Sequence, residues 1–388
     1  MANAAYIDIH ALQTLPYSNL NRDDLGSPKT LVLGGSERTR VSSQSWKRVV
    51  RHKVEERLAD PTVRTRRIVG AIADRLEESH GWSAEAALEG GRQVVRSVGK
   101  GIKLEPVKKD KFTDQELPQD TSVLLYLPTG AIGELADLVT AHADEVAKQV
   151  GKKKAAPVLP AKEITRILSS RNASVRLFGR MLADLPATEL DGAVQFAHAF
   201  TVHKTNVDID FFTAVDDLMD AGDRGSAHMN EGMFSAGTFY RYANINLTQL
   251  LSNSDGDTEQ VTRLVGEFLR AFLDTVPGGK QTATAAVTVP ELVHVAVRSD
   301  RPVSYAGAFE TPIVGEHGNM EAARHRLSDY AEELSTVWWP GSILYSGYSG
   351  IGLGKELPGL GADQGSYPGL VDTALSTAVE QGIREGQR

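Results

Sequence analysis

The residues from Gly34 to Lys53, GGSERTRVSSQSWKRVVRHK, combine the types that hold a phosphate. A glycine pair and a short basic strand with Arg38 and Arg40 lead into a hydroxyl and amide turn, Ser42, Ser43 and Gln44. A helix opening with Lys47 and Arg48 follows directly. Ser42 or Ser43 can cap that helix, and the unpaired amides and positive dipole end of its first turn attract an anion. Trp46, Val49, Val50 and Val54 recur at helical spacing and face a core, which leaves Lys47, Arg48, Arg51 and His52 on flanks that reach outward. Neither G-x-x-x-x-G-K-[ST] nor G-x-G-x-x-G occurs in this stretch, so the cradle suits a polyphosphate backbone better than a mononucleotide. Taken alone, the stretch is also readable as a solvated basic helix after a glycine turn.

The elements that must position this cradle are spread along a long chain. With 388 residues, 41% hydrophobic and 24% charged, a large core and two or three domains are expected. No apolar run is long enough to span a bilayer, and MANAAYIDIHAL lacks the features of a signal segment, so a cytoplasmic protein without membrane contacts is expected. The absence of cysteine excludes disulfides, thiolate catalysis and cysteine-ligated metals. A net charge of -8 confines any nucleic-acid binding to local patches.

Tyr6 to Leu12 alternates as a half-buried strand, and a polar loop with Arg22 and Lys29 leads to Leu31–Leu33 and the cradle. From about Glu55 to Asp184 apolar residues fall three and four apart, which predicts a helical insertion with a short strand at Val123 to Leu127 and lysine-rich links. Asp191 to Leu247 contains a long polar excursion rich in Asp and Gly, with Phe211 and Phe212 adjacent, ending in a strand from Thr238. The two Phe residues read as core, and Asp208, Asp210, Asp216 and Asp217 as solvated carboxylates or as metal ligands. Further on, Thr258 to Asp274 is an amphipathic helix, Thr282 to Val289 an extended segment and Leu292 to Val297 a buried strand. Ala322 to Trp338 is a helix, Gly347 to Gly365 an exposed loop and Val371 to Arg384 a closing helix. The order predicts an interrupted α+β domain.

These residues carry a resemblance over nearly the whole chain. NRDD at Asn21 to Asp24, GG…R-x-R-V-SSQS-x-KR at Gly34 to Arg48 and GRM at Gly179 to Met181 are followed by DGA…AHA at Asp191 to Ala199. D-I-D-x-FTAVDDL at Asp208 to Leu218, GSAH at Gly225 to His228, FYRYANINL at Phe239 to Leu247 and VPG-x-KQ at Val276 to Gln281 complete the set. Together they resemble the CasC family, the backbone subunit of the type I-E CRISPR surveillance complex, Cascade. The resemblance implies an RRM-like (ferredoxin-like) palm over 1–58 and 241–388, interrupted by helical fingers over 59–196 and a long thumb hairpin over 197–240. It implies RNA contacts at Arg22, Lys29, Ser42, Gln44, Lys47, Arg48, Arg51 and Lys280, with Met181 and Phe212 wedging a kink and Phe211 and Thr213 beside them. The implied partners are crRNA, further copies of the chain, other Cascade subunits and, through the guide, target DNA. No cofactor, metal or catalysis is implied. Phe211 and Thr282 stand where the family has Trp and Arg, and the Gly-rich C-terminal region is longer.

The palm lacks the K/R-G-F/Y-G/A-F-V-x-F/Y motif of sheet-stacking RRMs, so grip on the backbone is expected, with sequence left to base pairing. Two other readings compete. His198, His203, Asp208 and Asp210 can be drawn as a metal-dependent nuclease, although their spacing matches no metal motif. A guide-independent single-strand binder is the other, and it predicts release of RNA at moderate salt.

Overall fold

Long-range strand pairing sets most of the architecture. The computed structural model describes residues 5–99, 101–109, 117–181, 188–214, 228–338 and 340–383. It forms two compact units, Met1–Lys53 with Val194–Arg388, and Val54–Ala193. The chain runs β1 (Tyr6–Ser18), β2 (Thr30–Leu33), β3 (Ser36–Val41) and α1 (Ser43–Leu58). The second unit then contributes β4 (Thr62–Thr65), α2 (Ile68–His80), α3 (Ala84–Val98), β5 (Leu125–Pro128), α4 (Gly130–Ala141), α5 (Ala143–Ala147), α6 (Ala161–Leu168) and α7 (Ala173–Phe178). Back in the first unit come β6 (Val194–Phe196), β7 (Ala199–Thr201), β8 (Asp208–Ala214), β9 (His228–Asn246), α8 (Leu247–Asn253), α9 (Thr258–Asp274) and α10 (Gln281–Thr284). The chain continues with β10 (Leu292–Arg298), α11 (Met320–Val337), β11 (Ile343–Gly350), β12 (Ala362–Asp363) and α12 (Tyr367–Ala378).

The large sheet has the order β12-β11-β10-β1-β9-β7-β3-β2, with β6 and β8 also paired to β9. Its centre is a β-α-β-β-α-β unit: β1, α1, β7, β9, α9 and β10 in chain order, with the strands adjacent as fourth, first, third, second. This is the RRM-like palm of an α+β fold, widened at both edges. Leu12, Tyr240, Tyr305 and Phe309 pack with Leu327 of α11 on one face, while Leu15, Val41 and Phe239 pack with Trp46 of α1 on the other. Both faces are therefore covered. This corrects the half-buried reading of β1, whose Asp8, His10 and Leu12 are as buried as Ile7, Ile9 and Ala11.

Three other expectations change. Val63 to Thr65 leaves the helical pattern to pair as β4 with β5, so its register depends on residues about sixty positions away. Residues Gln281–Thr284 form a helical turn instead of an extended segment. The Gly-rich stretch from Gly347 opens as the end of β11 and later buries Leu357 and Leu360, whereas residues 351–356 are mostly exposed, so the exposed-loop reading holds only in part. Its glycines serve close approach: a Cβ at Gly359 would lie 1.9 Å from the Ser328 carbonyl oxygen, and one at Gly361 2.1 Å from that of Ser346.

The α11 face buries a polar chain whose ionisation couples to folding. The Tyr305 amide donates to Tyr240 Oη, which leaves the hydroxyl proton for His10 Nδ1, 2.8 Å away. His10 stacks on Tyr305 with ring centroids 4.0 Å apart, and His294 contacts the Gly347 carbonyl oxygen through Nδ1. Burial pushes His10 well below its ordinary 6.5 and His294 down to about 4. An unfolded chain protonates both rings below about 6.5, whereas the folded core resists, so their contribution to stability is intact above pH 6.5 and lost as pH falls toward 4. Burial lifts Asp8 to about 7, so over the same window the folded state holds one proton that the unfolded state releases. Two buried imidazoles outweigh one carboxyl, so acidification through this window costs stability on balance. The melting temperature is expected to fall from pH 6.5 to 4.5, and His294→Asn, which retains a donor toward Gly347, should flatten the slope. An unchanged slope would show that His294 is not the titrating group.

Candidate nucleic-acid interface

The loop before the cradle is held by its own side chains. Asp23 Oδ1 accepts from the Leu25 and Ser27 amides, both at 2.9 Å, and Asn19 Nδ2 donates to the Gly26 and Met233 carbonyl oxygens. The aspartate thus shapes the turn. Arg22 is exposed and Lys29 half-buried on this loop. Asn21 Oδ1 accepts from the Ser42 amide at 2.9 Å, fastening the loop to the start of α1.

At that start the structure differs from an open amide nest. The Ser42 carbonyl oxygen accepts from the Ser45 and Trp46 amides, closing the first turn. The Ser43 amide donates to His198 Nδ1 at 2.9 Å. A neutral His198 ring therefore carries its proton on Nε2, and the residue is exposed. Burial lowers its pKa, followed by the fields of Arg40 and Lys29. Arg40 donates from Nε to the Thr30 carbonyl oxygen and from Nη1 to Ser42 Oγ, each at 3.1 Å. The cations and outward donor at this end of α1 are thus Lys29, Arg40 and His198, with Lys47 and Arg48 one turn further along. His198 and Arg40 are the residues that sequence reasoning underuses. The pairing of His198 with Ser43 spans 155 positions and has no local signal.

Two expected cations turn inward. Arg51 is buried, with Nη2 3.0 Å from His52 Nε2, so it does not reach outward. Arg38 is fully buried and donates to the carbonyl oxygens of Thr201, Phe309 and Glu310, tying β3 to β7 and the segment before α11. Ser42 is also buried, while Gln44 and Arg48 are exposed.

The β8–β9 hairpin leaves the sheet beside this surface. Asp208 pairs with Phe234 and each step runs outward to Ala214 with His228. At its root Tyr17 stacks on Phe234 with centroids 4.6 Å apart, and Lys280 Nζ lies 5.0 Å from the Phe234 ring centroid. The turn carrying Lys280 is pressed against the loop: a Cβ on Gly279 would lie 2.3 Å from the Leu20 carbonyl oxygen. Arg22, Lys280 and the hairpin root therefore share one surface. Further out, Phe211 is 65% and Phe212 49% exposed, which corrects the core reading of this pair. Thr213 lies in β8 opposite Met229. Asp216 and Asp217 lie outside the described residues. Among the described residues no three His, Asp or Glu side chains gather to hold a metal, and no helix is long and apolar enough to cross a membrane. Met181, in the other unit, is 87% exposed.

Phe212→Ala is expected to leave the melting temperature of the RNA-free protein unchanged, since a buried Phe would lose about 3–5 kcal/mol and this one has little burial to lose. The cost should appear in the RNA complex, about 1–3 kcal/mol per stacked base. A lowered melting temperature without RNA would mark Phe212 as structural.

An RRM-like palm with covered sheet faces, a cationic edge and an exposed aromatic hairpin has the physical features of a single-strand nucleic-acid binder. The chain belongs to the CT1975-like protein family, whose model matches residues 7–348. Among solved structures it is similar to a chain described as "CRISPR RNA-guided surveillance complex, pre-nicking", with 59% identity over 96% of this chain and 100% of that one, at a TM-score of 0.91. A second, described as "CRISPR RNA-guided surveillance complex", is 52% identical over 96% of this chain and 100% of that one, at a TM-score of 0.81. No curated protein matches the chain.

Proposed function

We propose that this chain is the guide-RNA-binding backbone subunit of a type I-E CRISPR surveillance complex in the cytoplasm. Copies stack along the crRNA beside the other Cascade subunits. The edge formed by Arg22, Lys29, Arg40, Lys47, Arg48, His198 and Lys280 grips the phosphate backbone. Phe211, Phe212 and Met181 displace bases at intervals, and the segments left open pair with target DNA in antiviral defence. The observation that carries this reading is the full-length likeness, at 59% identity, to a chain of an RNA-guided surveillance complex. The covered sheet faces agree with it, because they leave the edge and the hairpin as the surfaces open to RNA.

The role is non-catalytic. His203, which a nuclease reading requires, contacts the Lys204 carbonyl oxygen through Nδ1 and accepts the Thr238 amide at Nε2, so neither nitrogen is left for a metal. The test is charge removal. Lys47→Ala with Arg48→Ala should weaken RNA binding equally for guides of different sequence. It should also flatten the log–log salt dependence by about 0.7 per lost contact per subunit. Sequence-dependent losses, or an unchanged slope, would refute the backbone-grip reading.

A further inference from the structure

The turn that carries Lys280 is held in a costly backbone conformation. Among the described residues, four other than glycine have φ in the left-handed region, and two of them, Lys280 (φ 51°) and Ala285 (φ 46°), flank α10. A residue with a Cβ keeps that conformation only where its surroundings enforce it. At Lys280 the carbonyl oxygen accepts from the Ala283 amide at 3.0 Å, the Thr284 amide at 3.1 Å and Thr284 Oγ1 at 3.0 Å. On the other side Gly279 lies so close to the Leu20 carbonyl oxygen that no room is left for the turn to move that way.

Gln281 closes this turn from within. Its Nε2 donates to the Pro277 carbonyl oxygen at 3.2 Å and to that of Ala286 at 3.0 Å, one acceptor on each side of α10. Both amide hydrogens are used, while Oε1 is buried without a hydrogen-bond partner among the described residues. An apolar side chain of the same size would fill the space without leaving an acceptor unpaired, so the amide is explained by its two donors. Lys280 is the opposite case. Its ammonium has no ion pair or hydrogen bond among the described residues and rests 5.0 Å from the Phe234 ring centroid. Gly232 keeps that ring in place, since a Cβ there would lie 2.7 Å from Phe234 Cε2.

We infer that Gln281 is a positioning residue for Lys280: by tying Pro277 to Ala286 it holds the left-handed turn that aims the ammonium, over Phe234, at a phosphate of the bound strand. The inference rests on the proposed guide-RNA role. A lysine on a loose turn gives up backbone and side-chain freedom when it binds, whereas one presented from a locked turn gives up less. The Phe234 ring steadies the cation without neutralising it, so the whole charge remains for the phosphate. Gln281 itself touches no phosphate in this arrangement, because its donors are both spent on the turn.

The test compares full-length Lys280→Ala, Gln281→Met and the double variant on one fixed guide. Gln281→Met keeps the length of the side chain and removes both donors. Lys280→Ala is expected to weaken binding about 5-fold per copy at moderate salt and to flatten the log–log salt slope by about 0.7 per copy. Gln281→Met should move both quantities the same way, and the double variant should bind no more weakly than Lys280→Ala alone. In the RNA-free protein, hydrogen exchange at the Ala283, Thr284 and Ala285 amides should quicken in Gln281→Met at an unchanged melting temperature. Losses that add to those of Lys280→Ala, or a salt slope that Gln281→Met leaves untouched, would make Gln281 a structural residue of the palm and overturn the inference. Exchange in the turn that does not respond would overturn it as well. If Lys280→Ala changes neither affinity nor slope, no phosphate sits at Lys280 and the inference falls, while the Lys47 and Arg48 variants still decide the backbone-grip reading separately.

Discussion

Excising residues 206–232 is expected to give a chain that folds and melts like the parent yet no longer assembles in multiple copies on RNA. The ends of the excised segment lie side by side: Ser235 Oγ donates to the Asn206 carbonyl oxygen at 3.2 Å, so a short glycine turn can rejoin Thr205 to Met233. The sheet keeps its ladder, because β9 pairs with β1 from Ser235 to Asn246 and needs nothing beyond Met233 to do so. What is lost is a two-stranded ribbon with Ile209 at 53%, Phe211 at 65% and Phe212 at 49% exposure. An isolated hairpin of this kind is marginally stable in water, and its apolar side chains gain only when another surface covers them. Light scattering and electron microscopy of the variant with a long guide should show single or few copies where the parent is expected to form filaments. Filaments of normal length would mean that assembly runs through other surfaces. An RNA-free variant that fails to melt cooperatively would mean that the hairpin belongs to the fold.

The legible and illegible parts of this chain divide by the range of the interactions that fix them. Helix α9 is readable to the residue, Thr258–Asp274, because its apolar spacing is local and Asp257 caps it by accepting from the Gln260 amide at 2.9 Å. β10 is equally plain, since LVHVAVR is buried along its whole length. Strand β4 is hidden in VRTRR because its partner is β5. The burial of Arg38 and Arg51 is hidden for a related reason. Local pattern reads every arginine as outward, and only partners more than 160 positions away show that Arg38 faces Thr201, Phe309 and Glu310. Glycines between Gly347 and Gly365 mark places where two backbones touch, and sequence does not separate that use from freedom to turn. At the candidate interface, Lys47, Arg48, Arg22 and Lys280 are visible as charge, whereas the contribution of His198 depends on a hydrogen bond that only the folded palm brings about.

Arg241→Ala is expected to cost about 3–5 kcal/mol of folding stability. The side chain is 2% exposed, with its guanidinium carbon 3.7 Å from the Trp46 ring centroid and 4.3 Å from that of Phe272. It donates to Gln13 Oε1 and, at 2.6 Å, to the Phe272 carbonyl oxygen, so it ties β1, α1 and α9 together across β9. Burial lowers its pKa to about 9, which leaves it charged at neutral pH. Truncation would open a void under Trp46 and strand two buried acceptors, each worth about 1–3 kcal/mol. Arg241→Met, which refills much of the volume, should recover the packing part and leave only the acceptor penalty. Because Trp46 sits one residue before Lys47 on α1, loosening it should also displace the cationic edge. RNA affinity should then fall in step with stability across the Ala and Met variants, measured by thermal melting and by titration with a fixed guide. A variant that loses affinity at full stability would show that Arg241 acts on RNA by some route other than the packing of Trp46.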